Sequence, residues 1–197
     1  MRSPVILGAV LGLAASAMLG GCVSLGSKVA APAQLFTLTA PAVSAAGVSV
    51  GAGEALVVAE PETDRALGLT RIAVQVDDHS LAYLKDGLWA ERPARLFRNL
   101  IADTIRAGGK QLVVLDDAYV PQSGQRLGGR LIAFGYDARS HSAVVRYDAL
   151  RRIADGSLRQ QRFEAVVPDV KPHARDVAQA LNLAAGRVAV QVADWVK

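Results

Sequence analysis

The chain has 197 residues, a formal net charge of +4, 51% hydrophobic residues and 5% aromatic ones. Its basic and acidic residues are interspersed, so the mild excess makes no nucleic-acid surface, and so few rings build no platform for stacked bases or sugars. The single cysteine excludes an internal disulfide, and one thiol does not make a metal site.

The N-terminus reads as an address. Met1-Arg2 is a short positive start, and Val5–Leu19 then runs apolar or small without a charge. That run is shorter than the roughly 20 residues a membrane-spanning helix needs, and it suits the apolar centre of a secretory signal peptide, typically about 7–15 residues. The segment Leu19-Gly20-Gly21-Cys22 resembles the lipobox of bacterial lipoproteins. The resemblance implies a signal peptide over residues 1–21, cut before Cys22, whose thiol carries a diacylglyceryl group and whose new amino group is acylated. Several acyl chains hold a protein on a bilayer where one chain binds reversibly. The competing reading is an uncleaved signal anchor with an incidental cysteine; charge, length, small residues and thiol together argue against it. Val23, where inner-membrane lipoproteins of enterobacterial type carry aspartate, leaves the outer membrane as the expected home, with the domain facing the periplasm. Residues 22–33, rich in Ser, Gly, Ala and Pro, read as a lipidated flexible tether, and residues 34–197 as one domain.

Along that domain, Gln34–Thr39 and Ala55–Pro61 are short strand candidates, separated by a loose Ala-, Gly- and Ser-rich segment. Thr70–Asp78 alternates Ile72, Val74 and Val76 against Arg71, Ala73 and Gln75, as a half-buried strand does. Leu81–Leu84 followed by Lys85-Asp86-Gly87 reads as a hairpin return. Pro93 then fits the first turn of a helix that Gly108-Gly109 stops, with Phe97, Leu100, Ile101 and Ile105 on one stripe. Gln111–Asp117 reads as another strand, and three more are expected around Leu127–Tyr136, Ala143–Leu150 and Leu158–Val167. Asp155-Gly156 supplies the turn between the last two. Gly128-Gly129 suggests a bulge or a close approach. The chain closes with an amphipathic helix beginning near Pro172, whose stripe is Val177, Leu181, Ala184, Val188, Val192 and Trp195; Gly186 inside it costs stability or permits close packing. The expected fold is α+β: an antiparallel or mixed sheet with two amphipathic helices packed on one face.

No catalytic constellation assembles from these residues. His79, His141 and His173 are far apart and form no ligand pair, Asp77-Asp78-His79 reads as a solvated turn, and Asp116-Asp117 carries no partner pattern. No serine sits in a nucleophile elbow, and the glycines of Ser123–Arg130 lack the lysine of a phosphate loop. The expectation is a non-enzyme with no catalytic residue, no metal and no cofactor beyond the lipid on Cys22.

The pattern resembles the ABC-type transport auxiliary lipoprotein family, the PqiC-like intermembrane transport lipoproteins. The resemblance is carried by the lipobox at Cys22, the strand Gln34–Leu38, the run Arg71–Val76, Trp89-Ala90 ahead of the helix that starts at Pro93, and the closing amphipathic helix. It implies an auxiliary subunit that docks an MCE-domain envelope protein, with an inner-membrane transport complex completing a system that moves lipids between membranes. Membrane contact runs through the acyl anchor, and self-association is left open. Trp89 is the candidate partner contact, against the alternative of a core staple at the helix entry. Two other readings stand open: a lipoprotein that itself binds a lipid or small hydrophobic ligand, and a structural lipoprotein of another envelope assembly.

Overall fold

Strand β7 (Gln125–Asp137) is the axis of the molecule, because every neighbour in the sheet is placed by pairing along it. On one edge, three short strands run parallel to it in succession: β2 (Leu56–Val58) beside Gln125–Leu127, β3 (Glu62–Thr63) beside Arg130-Leu131, and β4 (Arg71–Gln75) beside Gly135–Asp137. A short 3-10 turn at Arg65–Leu67 joins β3 to β4. On the other edge, β8 (Ser142–Arg152) and β9 (Leu158–Val167) follow as an antiparallel meander. Beyond β4 lie β5 (Leu81–Trp89), antiparallel, and β1 (Leu35–Phe36), while β6 (Val113–Val114) pairs with β2. The sheet is therefore mixed, and with helices α1 (Pro93–Ala107) and α2 (Ala174–Trp195) the fold is α+β, as expected.

The computed structural model describes residues 34–40, 47–51, 53–109, 111–115 and 124–197. Residues 1–33, with Cys22 and the tether, lie outside the described residues, as do Asp116 and Asp117. None of the described helices is long and apolar enough to cross a membrane.

Both helices cover one face of the sheet. Their stripes bury as the spacing requires: Phe97, Leu100, Ile101 and Ile105 on α1, and Val177, Leu181, Ala184, Val188 and Val192 on α2. Opposite them, the inward residues of β8 and β9 alternate, with Val145, Tyr147 and Ala149 buried on β8 and Phe163 and Ala165 on β9, while β7 buries Leu127 and Leu131 before its bulge and Phe134 and Tyr136 after it. Edge-to-face rings tie the layers, Phe97 to Tyr147 at 5.3 Å and Phe163 to Trp195 at 5.6 Å between centroids. Gly186 has no close packing role: a Cβ placed there meets nothing within 4 Å.

Two strands depart from expectation. β5 does not turn back at Lys85-Asp86-Gly87 but continues to Trp89 through a large bulge. Ala73 faces Tyr83 and Arg71 faces Leu88, so Leu84–Gly87 lie opposite the single residue Ile72, and Asp86 takes a left-handed φ of 60° to make the detour. At Gly128-Gly129 the outcome is close approach. Gly129 has φ 125°, and a Cβ there would sit 2.0 Å from the carbonyl oxygen of Asp148; the bulge in β7 comes later, between Leu131 and Ala133.

Candidate functional site

The face of the sheet away from the helices has no layer of its own among the described residues, and it is concave. A trough of about 620 Å3 runs across β4, β7, β8 and β9. Its floor is made of small and branched residues, Ala73, Ala133, Gly135, Val144 and Val166. Gly135 lies flat against β4, where a Cβ would meet the Ala73 carbonyl at 2.5 Å, so the floor stays low where the two parallel strands meet. The 3-10 turn supplies one wall through Asp64, Ala66 and Leu67, and the β4–β5 and β7–β8 loops supply another through Asp78 and Arg139.

Charge pairs frame the trough. Arg139 reaches Asp78 at 2.5 Å and Asp137 at 3.4 Å, and Arg130 pairs with Asp64. On the meander, Arg146 grips both oxygens of Glu164 at 2.6 and 3.2 Å, and Arg162 grips both oxygens of Asp148 at 2.6 and 2.7 Å. These bidentate contacts hold the Asp148 and Glu164 carboxyls below the ordinary carboxylate range, the hydrogen bonds from the partner arginines being the largest cause in each case. For Asp137, burial acts the other way, but hydrogen bonds from Arg139 and Ser140 outweigh it and the group is also lowered.

A second cavity of similar volume, about 620 Å3, opens at the C-terminal end of α2. Val50, Ile105, Leu112, Val190 and Val196 give it apolar walls. Arg151 lines it from β8 and is buried, donating to the Trp195 carbonyl at 3.2 Å and to the Gln125 side chain at 3.4 Å, with its Nε hydrogen unpartnered among the described residues. Burial lowers this guanidinium from its ordinary value, and the neighbouring charge of Arg159 adds to the effect. The negative end of α2 partly compensates the buried cation.

The sequence-derived candidates fall elsewhere. Trp89 is 2% exposed, at the end of β5, with its ring 5.4 Å from Phe134 and 6.4 Å from Phe36. It is the core staple and presents no surface to a partner, because β5 continues past its bulge and packs the ring between Phe36 and Phe134. The three histidines are not brought together. His141 accepts or donates at Tyr136 Oη (3.1 Å), His173 precedes α2, and the backbone of His79 donates to the Asp77 carboxylate in a tight turn. Among the described residues no three His, Cys, Asp or Glu side chains are grouped to hold a metal. The trough was legible only in part: Arg146 and Glu164, which line it, and the neighbouring pair Asp148 and Arg162 all stand on the polar parity of their strands, but their pairing depends on the register of the hairpin.

A family model describing the ABC-type transport auxiliary lipoprotein component matches residues 36–193. The chain belongs to that family. The match spans the sheet from Phe36 onward and nearly all of α2, so the trough lies within the matched residues, while the second cavity extends past them to Asp194, Val196 and Lys197. Protein XCC0632 from Xanthomonas campestris, of the DUF330 family, has a similar fold at 18% identity, with a TM-score of 0.69 over 83% of this chain and 94% of that one. A second solved structure, an uncharacterized protein, is similar at 13% identity, with a TM-score of 0.63 over 83% of this chain and all of that one. At these identities the likeness concerns the fold. No curated protein matches the chain in sequence.

Proposed function

We propose that the protein is an outer-membrane-anchored, periplasm-facing docking subunit of an MCE/ABC-type intermembrane lipid transport system. Its task is to hold the MCE-domain protein at the outer membrane, without turnover of its own. Membership of the transport auxiliary family supports the transport role, and the open face of the sheet is the observation that carries the docking role. An exposed trough with an apolar floor and fixed charge pairs at its rim suits a partner segment, since apolar contact supplies affinity and rim charges supply orientation. The anchor is the lipid on Cys22, which keeps the domain within reach of partners at the membrane surface.

Two results are expected. With the MCE-domain protein of the same system as bait, the wild-type chain is captured, while Val144→Glu, which puts a charge on the trough floor without entering the helix-facing core, stays folded by circular dichroism and is not captured. Capture of both forms alike moves the contact off the trough. A folded chain that captures no MCE-domain protein but copurifies with a lipid moves the function to the cavity beneath Arg151, the alternative reading. For the anchor, metabolic labelling with a palmitate analogue marks the wild type and leaves Cys22→Ser unlabelled; equal labelling of both forms removes the anchor from the proposal.

A further inference from the structure

The outer side of α2, turned away from the sheet, carries an apolar strip. Leu183 and Val190 are both half-exposed, and Gly186 stands between them with open space around it. Helix positions three, four and seven apart share a face, so Arg187 stands beside the strip. It is exposed and has no ion pair or hydrogen bond among the described residues.

Charge separates this side of the molecule from the open one. Arg130, Arg139, Arg146 and Arg162 on the open face each hold a carboxylate. The two helices carry five arginines against three aspartates. Of these arginines, Arg98 and Arg175 bond only neutral side chains, and neither they nor Arg187 meet a carboxylate among the described residues. An anionic surface therefore finds unmatched cations on the helix side and ion-paired carboxylates on the other.

The chain also enters the domain on the helix side. The Gln34 side chain accepts from Arg175 at 3.1 Å, at the start of α2, and the Thr39 amide donates to the Asn182 side chain at 2.8 Å, next to Leu183. The twelve residues from Cys22 to Ala33 reach at most about 40 Å. The side of α2 from Arg175 to Val190 is about 22 Å long. A bilayer that holds acyl chains on Cys22 is thus within reach of the whole strip. Two apolar residues and a few cations bind a membrane weakly on their own, but a covalent tether makes the contact intramolecular and raises its effective concentration.

We propose that α2 is a membrane-facing surface: Leu183, Gly186 and Val190 lie on the anionic lipid bilayer that holds the Cys22 acyl chains, with Arg175 and Arg187 against its phosphates. The proposal rests on the lipid anchor proposed above and goes beyond it by fixing the domain's orientation. Helices and trough lie on opposite faces of the sheet, so the trough turns away from the membrane and toward a partner.

The test uses the mature lipoprotein, purified from membranes and reconstituted in vesicles of phosphatidylcholine alone or with phosphatidylglycerol. With the Cys22 thiol acylated, Leu183→Cys offers one thiol for a nitrobenzoxadiazole label. Leu158→Cys, exposed on the open face, offers one for comparison, and circular dichroism checks folding. Lipids bearing a nitroxide near the headgroup are expected to quench the label at position 183 in the anionic vesicles and to leave that at position 158 unquenched. Arg187→Glu weakens the contact about fivefold or more and returns the label toward its unquenched level. Equal quenching at both positions, stronger quenching at position 158, or quenching indifferent to phosphatidylglycerol and to Arg187→Glu overturns the proposal. Flotation judges the anchor separately. A chain that floats with the vesicles yet keeps position 183 unquenched sinks the α2 contact alone, whereas a chain that does not float sinks the anchor and the contact with it.

Discussion

Replacing Trp89 by alanine is expected to cost about 3–5 kcal/mol in chemical denaturation, the usual range for a fully buried aromatic truncated to a methyl group. The ring is 2% exposed and packs edge-on against Phe134, which in turn packs on Phe97, so its loss opens a cavity where β5, β7 and α1 converge. Its Nε1 hydrogen is buried without a partner among the described residues, so a small part of the loss is returned when that donor is removed. Trp89→Phe keeps most of the ring packing and deletes the orphaned donor, and it is expected to cost clearly less than the alanine form. A midpoint for Trp89→Ala close to that of the wild type would place the ring at the surface and reopen it as a contact.

Leu181→Ala is the second large effect, about 2–5 kcal/mol by the same cavity argument. Leu181 is fully buried in the middle of α2, with Val177 and Ala178 one turn before it and Ala184 and Ala185 one turn after. Those alanines and valines cannot reach into the space a leucine leaves, so little of the cavity closes. Urea denaturation followed by far-ultraviolet circular dichroism measures the shift in midpoint at constant slope. An unchanged midpoint would mean that the α2 stripe does not pack on the sheet. The surface change Val144→Glu, by contrast, leaves this core untouched, which makes it the suitable variant for binding experiments.

The sequence by itself determined the helices, because a helix stripe is a local property. Pro93 begins α1, glycines end it at Ala107, and the apolar spacing on both helices names the residues that are buried. It also determined the three strands of the meander, where alternation and turn residues agree. The α+β class follows from those elements, since stripes and alternating faces must bury each other.

What only the tertiary structure decided depends on contacts between residues distant along the chain. The segment Lys85–Gly87 has turn residues, yet it becomes a bulge because β5 gains its pairing with β4 on both sides of the detour, and this carries Trp89 inward. Gly129 is required by the Asp148 carbonyl on the neighbouring strand, which no local pattern reveals.

The open-face charge pairs rest on the same kind of decision. Read as a two-residue loop, Asp155-Gly156 would shift the meander by one residue and turn every side chain of β9 to the opposite face. In the structure the loop holds five residues, Ile153–Ser157, closed by the Ile153 amide on the Ser157 carbonyl at 3.1 Å and by the Ser157 amide on the Asp155 side chain at 2.8 Å. That one-residue difference sets Arg146 against Glu164 and Arg162 against Asp148, and with them the rim of the trough and the charge pattern of the edge. Strand identity is written in side-chain alternation, but register is settled where two strands and a turn must satisfy their hydrogen bonds together.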